Sequence, residues 1–89
     1  MVSVPELSRF YGIVITMYHS DHPAPHFHAT HGSDKAKVGI GTGHLLAGRL
    51  PLTALRRVRK WERMHRDELL DNWERRLTNK PLRRIEPLP

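Results

Sequence analysis

At Pro51 the hydrophobic period of this chain changes from two to about 3.6, and that switch restricts the fold classes open to it. Before Pro51, short alternations of apolar and polar residues are separated by turn residues. After it, apolar residues recur every three or four positions. Strands followed by helix pack as α+β, with the helix laid across one face of an antiparallel sheet.

In the first half, Phe10 to Tyr18 is rich in β-branched and aromatic residues and apolar on both alternating faces, which predicts one central, well-covered strand. His26 to Thr30 sets Phe27 and Ala29 against His26, His28 and Thr30, the pattern of a half-buried antiparallel strand. His31-Gly32-Ser33-Asp34 turns the chain. Lys35 to Ile40 places Ala36, Val38 and Ile40 opposite Lys35, Lys37 and Gly39, and Gly41-Thr42-Gly43 supplies the next hairpin turn. Leu45 to Leu50 adds a weaker fourth strand, so the expected sheet is a three- to four-stranded antiparallel meander.

In the second half, Leu55, Val58, Trp61, His65, Leu69, Trp73 and Leu77 form one stripe, which predicts a single long helix over Thr53 to Leu77 packed on one face of the sheet. Thr53 reads as its N-cap, and Asn79 with Pro81 as its stop. Arg83 to Leu88 reads as a short extended C-terminal tail. Trp61 and Trp73 fall on the stripe and are assigned to the core. His65 lies on the same stripe and shares a face with Glu68, so a hydrogen bond to Glu68 or to a strand carbonyl would satisfy it. Contact between His65 and the histidine strand would require His26 and His28 to face the helix, which the alternation of Phe27 opposes.

A chain of 89 residues is expected to form a single domain over 1–89, with a core thin enough that a partner subunit or an oligomer would extend it. The absence of cysteine excludes disulfide scaffolds, thiolate zinc sites and cysteine nucleophiles, and leaves His, Asp and Glu as the metal donors. No apolar run reaches membrane-spanning length and no basic-then-apolar leader opens the chain, so the expected setting is cytoplasmic, without a membrane. The formal charge of +6 draws on Arg56, Arg57, Arg59, Lys60, Arg63 and Arg66. Such a balance favours an acidic partner, either nucleic acid or an acidic protein.

Four of the seven histidines fall between Asp21 and His31, in DHPAPHFHATH. On a strand rising roughly 3.3 Å per residue, His26 and His28 project from one face about 7 Å apart. Pro23 and Pro25 stiffen the approach from His22. Three readings stay open. In the first, His26 and His28 are an acid–base pair for RNA phosphodiester cleavage of a ribonuclease-like kind, with Asp21 and His22 in the same cluster and Lys37 and Arg49 holding the phosphate. This reading needs no cofactor. In the second, His22, His26 and His28, with Asp21 beside them, hold a divalent metal such as Zn²⁺. In the third, Asp21 and His22 form a turn and the remaining histidines are exposed strand residues.

Ser8-Arg9-Phe10-Tyr11-Gly12-Ile13, Met17-Tyr18, Asp21-His22, Pro25-His26-Phe27-His28-Ala29, Gly32, Gly48 with Leu50-Pro51, Val58, Trp61, His65-Arg66, Glu68-Leu69, Asn72-Trp73 and Ile85-Glu86-Pro87-Leu88 together resemble the small bacterial family called domain of unknown function 4160. Asp-His followed by Pro-His-Phe-His is the most specific part. The resemblance implies one half of a two-gene cassette, often beside a small protein of domain-of-unknown-function family 2442, an arrangement read as a toxin–antitoxin pair. It implies a toxin component whose partner is a cognate small antitoxin-like protein. Arg49 and Lys60 depart from the family pattern, in which acidic residues are usual there, and make this chain more basic. The competing class is a non-catalytic basic module that binds nucleic acid or an acidic protein through Arg56, Lys60 and Arg63. A histidine-based metal-binding protein is the third.

Overall fold

Two consecutive residues in the left-handed region, Tyr11 at φ 51° and Gly12 at φ 76°, divide the first apolar run into a hairpin. Strand β1 spans Glu6–Phe10 and β2 spans Ile13–Thr16, which corrects the single strand expected over Phe10 to Tyr18. A two-residue hairpin turn of type I′ has positive φ at both central positions, with a twist that matches the strands it joins. Glycine adopts it freely, whereas tyrosine does so at a cost. Tyr11 is held by tertiary contacts: the Arg57 guanidinium stacks 4.1 Å from its ring centre, and its hydroxyl donates to the Pro89 carbonyl at 2.8 Å.

The structure is a computed structural model describing residues 5–19 and 24–89. Strands β3 (His26–His31), β4 (Asp34–Gly39) and β5 (Leu45–Gly48) complete an antiparallel meander in the order β1-β2-β3-β4-β5. The sheet therefore has five strands, not three or four. Its register aligns Ile15, Ala29 and Ala36 across three strands on the core face. Thr16, His28, Lys37 and Ala47 align on the opposite face.

Two helices, α1 (Leu52–Met64) and α2 (Arg66–Leu77), replace the one expected. They part at His65, whose φ of −122° departs from helical geometry. As the residue before α2, it binds the Glu68 side chain in the first turn through Nδ1 at 2.6 Å and packs 5.5 Å from Trp61, without a side-chain cap bond to the helix backbone. The N-cap of α1 is Pro51 and makes no side-chain cap bond, so Thr53 lies inside the first turn instead of ahead of it. Leu55 is only half-buried and Leu77 is 60% exposed. Ala54, Val58, Trp61 and Glu62 fill the inner face of α1, and Leu69, Asn72, Trp73 and Arg76 that of α2. Asn79, at φ 59°, ends α2 in a left-handed residue, with the Lys80 N–H returning to the Arg75 carbonyl at 2.9 Å.

Trp61 is the centre of the core. It has no exposed surface, and its ring lies 5.4 Å from Phe10 and 5.8 Å from Phe27. Its indole N–H donates 2.8 Å to the Glu86 carbonyl, so the tail is tied to the largest fully buried side chain among the described residues. The tail runs extended as a strap, with Ile85 N–H donating to the Leu7 carbonyl at 2.7 Å and Ile85 and Leu88 buried. Asn72 binds both backbone groups of Arg83. Among the described residues no helix is long and apolar enough to cross a membrane.

Candidate functional site

Strand alternation sends Phe27 and Ala29 into the core and His28 and Thr30 to the half-exposed face of the sheet. His26 shares the parity of His28 but is only 3% exposed. The reason is α2, whose Trp73 ring lies 5.1 Å from the His26 ring where β3 begins. The expectation that both histidines stand on one accessible face is therefore corrected for His26. Its Nδ1 lies 2.7 Å from the Ala24 carbonyl. A carbonyl oxygen only accepts, so Nδ1 carries a proton, and in the neutral ring the lone pair sits on Nε2.

His28 is the accessible member of the pair. Its ring centre lies 5.3 Å from that of His26 and 4.4 Å from that of Tyr18, both contacts near edge-to-face. Its cross-strand partners are Thr16 and Lys37. His28, Lys35, Ala36, Lys37, Ala47 and Gly48 line a shallow depression of about 190 Å³. An imidazole able to exchange a proton thus stands next to an ammonium group able to hold an anion.

Trp73 and Arg76 form the back of this arrangement. The Arg76 guanidinium stacks 3.4 Å from the Trp73 ring centre and donates through Nη1 to the His19 carbonyl at 3.0 Å. This ties α2 to the segment that follows β2, beside the Trp73 ring that packs on His26. Neither residue's part was legible beforehand, although their i, i+3 spacing places them on one helix face. Tyr18 was also missed as a neighbour of His28, despite continuing the alternation of Val14 and Thr16.

Asp21 and His22, expected in the cluster, lie outside the described residues. Of the expected metal set only His26 and His28 are placed, and among the described residues no three His, Asp or Glu side chains converge to hold an ion. Lys37 stands beside His28 as expected. Arg49 does not join them: it follows β5, and its Nε pairs with Asp34 Oδ1 at 3.3 Å. Asp34 has the core-facing parity of β4, which draws Arg49 away from the histidine face. Arg56, Lys60 and Arg63 are exposed along the side of α1 opposite Val58 and Trp61. The core therefore separates this basic stripe from His28. His65 stays with Glu68 and takes no part in the cluster.

Glu62 is the charged residue that sequence reasoning overlooked. It is fully buried, receives Arg66 Nε at 2.9 Å and Nη2 at 2.8 Å, and accepts the Gly41 N–H at 2.9 Å. Burial opposes its ionisation, but the Arg66 guanidinium and the Gly41 N–H more than offset that and hold the carboxyl below its ordinary range. Glu62 thereby clamps the turn between β4 and β5 onto α1. Its i, i+4 spacing to Arg66 was the available signal.

Residues 12–74 match the family model described as Domain of unknown function (DUF4160). No curated protein and no solved structure matches the chain.

Proposed function

The chain belongs to the family described as domain of unknown function (DUF4160), and from that premise we propose that it is the toxin half of a two-component module, acting on RNA by phosphodiester cleavage at His28. The observation that carries this reading is the cross-strand pairing of His28 with Lys37 on a half-exposed face, behind which His26 is anchored by the Ala24 carbonyl. His28 takes the proton of a 2′-hydroxyl as its oxygen attacks the adjacent phosphorus. The bond to the 5′ oxygen breaks, that oxygen takes a proton from solvent, and a 2′,3′-cyclic phosphate remains. Lys37 and Lys35 stabilise the charge that develops on the phosphate. His26, being buried, is a positioning residue.

The test uses protein without a histidine tag on a defined RNA. Cleavage should persist in chelator and vanish in His28→Ala with the fold intact. Equal cleavage by wild type and His28→Ala would place the activity elsewhere. Loss on chelation with recovery on Zn²⁺ would favour the metal reading.

The exposed stripe of Arg56, Lys60 and Arg63 favours a second role, docking of the small antitoxin-like partner through acidic side chains. Because the stripe and His28 lie on opposite sides of the core, the two roles do not compete for residues.

A further inference from the structure

The sheet face around His28 carries an aromatic residue for which neither the core nor the proton chemistry has a use. Tyr18 is 37% exposed, and its ring stands 4.4 Å from that of His28. Around this pair the face is polar and basic. One row across the sheet runs Arg9, Val14, Thr30, Lys35, and the next brings Thr16, His28, Lys37 and Ala47 together. Glu6, which pairs with Thr16 in the second row, is already engaged by Arg9 at 2.7 Å and Arg84 at 3.2 Å, and Asp34 has the opposite parity on β4 and pairs with Arg49. Among the described residues Lys35 and Lys37 have no ion pair, so the electrostatic opening on this face is for an anion.

From this arrangement we infer that the His28 face is a single-stranded RNA site in which Tyr18 stacks on an unpaired base and the phosphate beside that base meets Lys37. The inference rests on the RNA reading given above and adds its substrate class. A basic surface alone accepts any polyanion, including duplex RNA or an acidic protein. An exposed ring can stack on a flat π-face, which an unpaired base offers, which a duplex hides within its stack, and which an acidic side chain lacks. Stacking on Tyr18 also places the ribose beside the base near His28, where the proton must be taken.

The experiment separates binding from cleavage. The probe is a ten-nucleotide 2′-O-methyl RNA, which lacks the attacking hydroxyl, labelled for fluorescence anisotropy, alone and annealed to its complement. Wild-type protein should bind the single strand more tightly than the duplex. Tyr18→Ala should weaken single-strand binding by about 5- to 150-fold, the range associated with loss of one stacked base, while Tyr18→Phe stays within about twofold. Circular dichroism melts confirm that each variant is folded. Equal affinity for strand and duplex overturns the inference. So does unchanged single-strand affinity in Tyr18→Ala, or competition by polyglutamate at matched charge as effective as that of unlabelled single strand. Because the probe cannot be cleaved, an absence of ribonuclease activity would end the catalytic reading without touching this result.

Discussion

Glu62 stays ionised with no exposed surface because three donors from two elements converge on it, Nε and Nη2 of Arg66 and the Gly41 N–H. Its carboxyl is held below the ordinary value of 4.5, so the folded state binds this proton more weakly than the unfolded chain does. The stability it contributes is therefore fully present above that value and is lost as pH falls through the folded one. Glu62→Gln should be less stable than wild type at neutral pH, and the difference should shrink as thermal melts are carried below pH 4.5. A difference that stays constant down to acid would mean that the ion pair is not what holds the turn. Trp61 acts through packing instead. Trp61→Ala empties a site between Phe10, Phe27 and His65 and removes the donor to Glu86. It should cost about 3–5 kcal/mol in urea denaturation, a large share of what so small a domain has. A loss under about 1 kcal/mol would show that neighbouring side chains refill the site.

The elements were legible in the sequence wherever period carried them, and illegible where a local geometry interrupted it. The alternations over His26 to Thr30 and Lys35 to Ile40 gave β3 and β4 to within a residue at their ends, although His31 and Asp34 pair with each other as strand instead of forming part of the turn, and the turn at Gly41 to Gly43 gave the entry to β5. The Tyr11-Gly12 turn was hidden because tyrosine is an unusual residue at positive φ and reads as strand; its stabilising contacts come from Arg57 and Pro89, far away in the chain. The break at His65 was hidden because the buried positions keep nearly the same spacing across it. For the site, period put His28 and Lys37 on one face and an assumed hairpin register put them on neighbouring strands, but neither could show that α2 covers His26, since that depends on how Trp73 passes the end of the sheet. On α1 the outer stripe makes a prediction of its own. Arg56, Lys60 and Arg63 replaced together by Glu should leave the melting temperature within a few degrees and remove the salt-dependent binding of an acidic protein partner. Single-strand binding at Tyr18 should persist. Unchanged partner affinity across a salt series would assign the stripe to solubility alone.

Across the whole molecule, the joining of distant chain segments has a consequence in time. Leu7 meets Ile85, and Tyr11 meets Pro89 across 78 intervening steps of sequence, while Trp61 reaches Glu86. Closing so long a loop costs chain entropy that only an assembled docking surface can repay. That surface requires β1, α1 and α2 already in place, so the strap is expected to be the last part of the fold to form. Ile85→Ala should then leave the refolding rate in stopped-flow measurements nearly unchanged and raise the unfolding rate by almost the whole loss of stability. Equal effects on both rates would put the strap in the folding nucleus. Late closure also means that the strap opens first: transient release would expose the Trp61 indole while the sheet stays paired, and amide exchange at Ile85 should outpace that of the β3 and β4 amides.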